Sequence, residues 1–163
     1  MLIQVKNKDT MVVGNFTFRC CVGKNGTKKH KIEGDKSTPK GTYSLGKIYF
    51  RNDRVKKPPR NFKVIKIKSN IGWCNDSNSK YYNKQIFIKK KIRYEKLYRK
   101  DNKYDYFIVI NYNTKKTIPN KGSAIFIHLT KTFSPTLGCV AIKKSDFLIL
   151  LKIINKNTKI KIY

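Results

Sequence analysis

The stretch that decides the fold is residues 122–143, GSAIFIHLTKTFSPTLGCVAIK. Its opening run, Ser123-Ala124-Ile125-Phe126-Ile127, is continuous and apolar, the pattern of a buried strand, and it delivers His128 at its end. A polar loop containing Pro135 follows, then Thr136-Leu137-Gly138-Cys139 and a second short apolar strand, Val140-Ala141-Ile142. An imidazole and a thiol at the ends of two neighbouring strands are the minimum set for a cysteine nucleophile and its base. Gly138 allows close approach of backbone to a substrate, and N–H groups beside Cys139 are candidates to face an oxygen that gains negative charge. Residue types alone equally allow Cys139 to be a small core residue, since free cysteine is among the most buried types. The papain and caspase signatures are absent.

Upstream of this stretch, residues 104–113 (YDYFIVINYN) read as a strong central strand, rich in aromatic and β-branched side chains. A turn at Ile118-Pro119-Asn120-Lys121-Gly122 connects it to the His128 strand. Residues 91–100 (KIRYEKLYRK) predict a helix, with Ile92, Leu97 and Tyr98 on one face and Glu95 set for Arg99 at i,i+4. Downstream, Ser145 is placed to cap a buried helix running through Ile154, with Asp146 in its first turn. Residues 158–163 (TKIKIY) alternate and predict an edge strand. At the amino terminus, strands are expected around Leu2–Val5 and Phe16–Val22, with turns at Asp9 and Gly14 and a tight turn at Asn25-Gly26. Residues 62–68 alternate apolar and basic, a strand with one wet face. The expected class is mainly β: a β-sandwich or curved mixed sheets with one or two short helices, in a single domain spanning residues 1–163.

His128, followed eleven positions later by the thiol of Thr136-x-Gly138-Cys139, resembles the active-site signature of the L,D-transpeptidase (YkuD-type) family. Residues 33–43, Glu-Gly-Asp-Lys-Ser-Thr-Pro-Lys-Gly-Thr-Tyr, resemble that family's GD-x-x-TP-x-G-x-aromatic segment. Ile71-Gly72-Trp73-Cys74-Asn75-Asp76, followed by Tyr82-Asn83, is similar to a loop of one branch of the same family. The resemblance implies a β-rich catalytic domain in which the Cys139 thiol attacks the carbonyl of the third residue of a peptidoglycan stem tetrapeptide. The terminal D-alanine leaves, and the thioester passes to an amine of another stem or to water. It implies His128 as base, N–H groups near Gly138 and Cys139 as oxyanion donors, and Thr136 as a hydroxyl that places substrate. Trp73 is either a wall of the substrate cleft or a core anchor. With no acidic residue beside His128, a backbone carbonyl near Leu129 is expected to orient its ring. Three departures from the family pattern stand out. The loop between His128 and Cys139 is short, Leu137 stands where His is frequent, and Ala141 replaces a frequent Arg. Lys143 or Lys131, nearest in sequence, would then supply the missing charge.

The chain carries 38 Lys+Arg against 9 Asp+Glu, a net charge of +29. Its lysines are scattered, and it is rich in Asn, Ile, Tyr and Phe. The charge therefore reads as compositional drift more than as a dedicated polyanion site, and no specific nucleic acid is expected. It is expected to lower the Cys139 thiol pKa. Of the four cysteines, Cys20 and Cys21 point to opposite faces of a strand, Cys74 reads as structural, and no metal spacing occurs, so neither metal nor cofactor is implied. His30 reads as solvated. No signal peptide and no membrane-spanning run is visible; the resemblance alone places the protein in the cell envelope or periplasm, and a monomer is expected. The alternatives are an L,D-carboxypeptidase of the same fold, and a non-enzymatic basic module stacking bases on the aromatics of residues 81–84 and 94–103.

Overall fold

The computed structural model describes residues 1–59, 62–88 and 91–163. The first 21 residues form a meander of β1 (Leu2–Lys6), β2 (Thr10–Val13) and β3 (Phe16–Cys21). Asn7 and Lys8 (φ 52° and 67°) make its first turn and Gly14 (φ 54°) opens the second, the left-handed conformations that tight hairpins between right-twisted strands require. β1 and β3 answer the expected strands. β2 is additional, because four residues between two turns are too short to show periodicity.

Further along lie β4 (Thr27–Lys28), β5 (Thr38–Pro39), β6 (Gly41–Phe50), β7 (Val64–Lys66), β8 (Ile71–Cys74), β9 (Gln85–Phe87) and β10 (Tyr94–Lys96). They are followed by β11 (Tyr106–Ile110), β12 (Phe126–Leu129), β13 (Val140–Ile142), α1 (Lys144–Ile153) and β14 (Lys159–Ile162). The large sheet runs β11-β12-β13-β3-β2-β1-β14-β6-β7, and β11 pairs again with β6, so eight strands close on themselves. The ten-residue β6 makes the closure. Its first half pairs with β14, its second half with β11, and the pairing with β11 shifts register between Ile108 and Ile110. Pairing is mixed: β12–β13, β1–β14 and β6–β7 are parallel. The expectation of mainly β, curved mixed sheets with a short helix is met.

Three local expectations are corrected. Residues 91–100 do not form a helix; Tyr94–Lys96 pairs antiparallel with β8 as the edge of a three-stranded sheet, β10-β8-β9. Glu95 and Arg99 do approach to 3.7 Å, but across the chain beyond a strand rather than along a helix face. The C-terminal strand is not an edge, since β14 lies between β1 and β6. Ser145 is not the helix cap: Lys143 holds that position without a side-chain bond, and the Ser145 hydroxyl turns to Asp146 Oδ1 at 3.0 Å.

Alternation along the strands divides the core in two. Inside the closed sheet, Ile108, Ile110, Ile127, Leu129, Val140 and Ile142 meet Ile3, Val5, Met11, Val13 and Cys20, and α1 adds Phe147, Leu150 and Leu151. Outside it, the intervening Phe107, Val109, Phe126 and Cys139 pack with Tyr49, Trp73, Leu97 and Tyr104 beneath the small sheet. The period-2 geometry of β12 and β13 therefore puts His128, Cys139 and Ala141 on the outer face together. Phe126, fully buried between the Phe107, Trp73 and Tyr104 rings, anchors that face, where truncation to Ala costs about 3–5 kcal/mol.

Candidate active site

β12 and β13 run parallel in a register that sets Ile127 beside Val140 and His128 beside Ala141. Cys139, one residue before β13, therefore lies against the start of β12. Its Sγ accepts from the Phe126 N–H at 3.4 Å and donates to the Ala124 carbonyl at 3.2 Å. Ala124 holds φ at 53°, a left-handed conformation that costs a residue with a Cβ roughly 1–2 kcal/mol. Asn83 supports that strain. Its Oδ1 accepts from Ala124 N (3.1 Å) and Trp73 Nε1 (2.9 Å), and its Nδ2 donates to the carbonyls of Tyr112 and Asn113. Asn83 is buried with its side chain fully used, a network whose loss is costly. It was not singled out from sequence; the Tyr-Asn pair after the Trp73 loop is the signal that marks it.

The turn into Cys139 is built by hydroxyls. Thr136 Oγ1 donates to the Cys139 carbonyl at 2.6 Å and accepts the Gly138 N–H at 3.1 Å. Thr38 Oγ1 accepts the Gly23 N–H at 2.9 Å and lies 3.4 Å from the same Cys139 carbonyl. Gly138 has φ 142°, and a Cβ there would stand 2.9 Å from the Ser37 carbonyl oxygen, so only glycine lets the thiol loop seat on the Ser37-Thr38 segment. That segment is fixed from behind by Asp35, which accepts from Ile32 N, Ser37 N, Ser37 Oγ and Lys31 Nζ. Residues 33–43 thus serve chiefly as a structural support. Through Asp35 they also hold the buried Lys31 at the cleft wall in an ion pair of 2.6 Å, a pair not anticipated from sequence.

His128 and Cys139 line one cleft of about 590 Å³, with Ala141, Thr136, Leu137 and Tyr104 among its walls. His128 Nδ1 lies 2.9 Å from the Leu129 carbonyl. That acceptor requires the hydrogen on Nδ1, which leaves Nε2 as the basic nitrogen. The ring also meets Tyr104 edge-on, centroids 5.4 Å apart. Among the described residues the thiol and the imidazole share no hydrogen bond, the thiol hydrogen being directed at Ala124.

Burial pushes the Cys139 thiol up to about 12; the Phe126 N–H opposes this, Glu95 adds to it and Lys31 opposes it. Burial also pushes His128 down to about 4, against the Leu129 carbonyl and with the help of the Lys103 and Arg99 charges. The resting pair is neutral thiol and neutral imidazole. The expectation that the positive charge would lower the thiol pKa is overturned, because desolvation of the buried sulfur outweighs the Lys31 charge.

The other sequence-derived site residues separate. Trp73 lies beneath the cleft, not on its wall: it is 6% exposed, edge-on to Phe126 and tied to Asn83. The Thr136 hydroxyl is committed to the loop on both its donor and acceptor sides, and the Gly138 N–H is taken by it. Lys143 sits over the Phe133 ring, and Lys131 lines a separate, smaller cleft. The cations that do line the site are Lys31, Lys36, Arg99 and Lys103. His30 is exposed, as expected, and all four cysteines are free.

A family model described as the L,D-transpeptidase catalytic domain (YkuD) matches residues 2–162. The chain belongs to this family. A search of curated proteins returned no match. In this L,D-transpeptidase-type catalytic domain, the cleft has one thiol and one imidazole borne by adjacent parallel strands, with the loop between them fastened to the segment just past β3. The Thr136 N–H donates to the Val22 carbonyl (2.9 Å) and the Lys24 N–H to the Thr136 carbonyl (2.8 Å). Among the described residues no helix is long and apolar enough to cross a membrane, and no group of three His, Cys, Asp or Glu is set to hold a metal ion.

Proposed function

We propose that the protein is a cysteine-dependent peptidoglycan L,D-transpeptidase, with Cys139 as nucleophile and His128 as general base. The observation that carries this reading is the seat of Cys139 Sγ between the Phe126 N–H and the Ala124 carbonyl, on the wall of the cleft that also holds His128.

The donor is a stem tetrapeptide whose third-residue carbonyl enters the cleft. Proton transfer from thiol to imidazole ahead of attack is uphill, given a thiol near 12 and an imidazole near 4. The proton therefore moves to His128 Nε2 as the carbon–sulfur bond forms. The Phe126 N–H steadies the sulfur as it gains charge, and the Leu129 carbonyl steadies the imidazolium. With the Gly138 N–H engaged by Thr136, the Cys139 N–H is the donor for the oxyanion. His128 then passes the proton to the departing D-alanine amine, which leaves a thioester on Cys139. An amine of a second stem attacks the thioester carbonyl, gives its proton to His128, and the thiol regains it on leaving. Water in place of the amine would make the protein an L,D-carboxypeptidase. Thr136 acts by holding the Cys139 carbonyl rather than by touching substrate. The substrate class places the working compartment in the cell envelope.

Mass spectrometry of a disaccharide-tetrapeptide incubated with the protein tests the reading. A cross-linked dimer is the expected product; tripeptide alone would make the protein a carboxypeptidase, and unchanged substrate would contradict both.

A further inference from the structure

The chain has only two glutamates among 38 Lys+Arg, and both, Glu33 and Glu95, line the cleft, while none of its seven aspartates does. They arrive from separate elements. Glu95 sits on β10 directly opposite Trp73, which places it on the same face of the small sheet as Asn75, just past β8. Glu33 lies in the loop before β5, its backbone N–H bonded to the Asn120 carbonyl at 2.7 Å. Each carboxylate is steadied by one tyrosine hydroxyl on one oxygen. Tyr82 donates to Glu33 Oε2, and Tyr104 donates to Glu95 Oε1 at 3.1 Å. Arg99 also approaches Glu95 Oε1 at 3.7 Å, but its two short bonds go to Asp101, at 2.9 and 2.6 Å. The second oxygen of each glutamate has no hydrogen bond among the described residues.

An independent observation points to a ligand. Ser123, 7% exposed and on the cleft wall, has a buried Oγ without a hydrogen-bond partner. The Asn75 Oδ1 on the same cleft is likewise buried and unpartnered. A buried polar atom left unpaired costs about 1–3 kcal/mol, which a bound donor would recover. Two carboxylate oxygens, an amide oxygen and a hydroxyl together form a set of acceptors in want of hydrogens, in a protein whose surface is overwhelmingly cationic. Of the cations on the cleft, Lys31 is bound to Asp35 and Arg99 to Asp101, the Lys103 charge acts at the His128 end, and Lys36 also lines the wall. Ser123, next to the Ala124 carbonyl that holds Cys139 Sγ, fixes the other end.

We propose that Glu33, Asn75, Glu95 and Ser123 form an ammonium subsite beside Cys139 that captures the primary amine of a peptide. Its assignment to a stem-peptide amine rests on the acyl-transfer reading; the subsite itself does not. An ammonium head with three N–H donors matches oxygens arriving from several sides, and two glutamates on one cleft wall favour a cation there. The same chemistry is carried by the side-chain amine of a donor stem and of an acceptor stem.

The test uses 1,5-diaminopentane, with 1,5-pentanediol as neutral control, and the whole protein observed by NMR. Saturable shifts of the Ser123 and Ala124 amides by the diamine alone are expected. Glu33→Gln and Glu95→Gln should each weaken binding by about fivefold or more, and Ser123→Ala, which keeps both charges, by a smaller factor. Equal shifts by the diol, or equal diamine binding by both Gln variants, would overturn the subsite. The source is then read from the half-reactions. Loss of speed chiefly in thioester formation assigns the amine to the donor, and chiefly in thioester capture to the acceptor. A protein that binds the diamine but forms no thioester keeps the subsite and refutes the acyl-transfer reading; one that forms the thioester and ignores the diamine does the reverse.

Discussion

The two faces of the β11–β12–β13 ladder come from the same few strands and serve opposite ends. The inner face is aliphatic: Ile108, Ile127, Leu129, Val140 and Ile142 close the eight-stranded ring on β1, β2 and α1. The outer face is aromatic, with Phe107 and Phe126 stacked under Trp73, Tyr49 and Tyr104, and it carries His128 and Cys139. Each face holds a thiol that burial pushes up to about 12, Cys20 inside and Cys139 outside. Thiol acidity therefore does not distinguish a nucleophile from a core residue here. The surroundings differ: Cys20 meets the aliphatic core, whereas Cys139 has an N–H, a carbonyl and a cleft shared with an imidazole. The outer face carries a strained Ala124, a depressed His128 and unpaired acceptors.

The largest effect expected on this contrast is at the outer face's base. His128→Gln should lower turnover about 10²- to 10⁴-fold in a protein that still folds, measured by stopped assays of tripeptide and dimer formation. A variant within a few fold of wild type would remove His128 from the mechanism. Next comes Asn83→Ala, which strips four hydrogen bonds from the support of Ala124. About 3 kcal/mol of stability should be lost in urea unfolding, with slower turnover as the Cys139 seat loosens; a loss below 1 kcal/mol would show that the network is dispensable.

Acid should single out the same face. His128 takes its proton near 6.5 when unfolded and only near 4 in the folded chain. Between those values the unfolded chain binds the extra proton, so stability present above pH 6.5 falls as the pH drops toward 4. The fall should reach about 3 kcal/mol, and His128→Gln should flatten that window. Persistence of the same slope in the variant would move the cause elsewhere. The smallest effect is expected inside the ring: Cys20→Ala should cost about 1 kcal/mol of stability through a small cavity and leave turnover within twofold.

Much of this organisation is legible in sequence because 104–113 and 122–143 carry continuous apolar runs that mark buried strands, and the two-residue period of a strand is what puts His128 and Cys139 on one face. The Leu129 carbonyl was expected because His128 has no acidic neighbour. What was not legible depends on distant partners. Tyr94–Lys96 is a strand because β8 lies alongside it, although Glu95 and Arg99 mimic a helix pair. Thr136 looks like a substrate ligand until the Cys139 carbonyl and the Gly138 N–H are seen to occupy it. The thiol's pKa was misjudged because net charge is visible in composition and burial is not. Lys31, Glu33 and Glu95 reach the cleft, and Asn83 supports Ala124, from segments far in the chain from residues 122–143.

The central claim is that Cys139, alone among four buried thiols, carries the acyl group. Intact-mass analysis after rapid quenching of wild type with a stem tetrapeptide, followed by proteolytic mapping, tests it directly. The account predicts an added mass equal to the tripeptide acyl group, mapped to Cys139, absent from Cys139→Ala and retained when Cys20, Cys21 and Cys74 are each replaced by Ala. An adduct that persists in folded Cys139→Ala, or one that maps to any other cysteine, would contradict it.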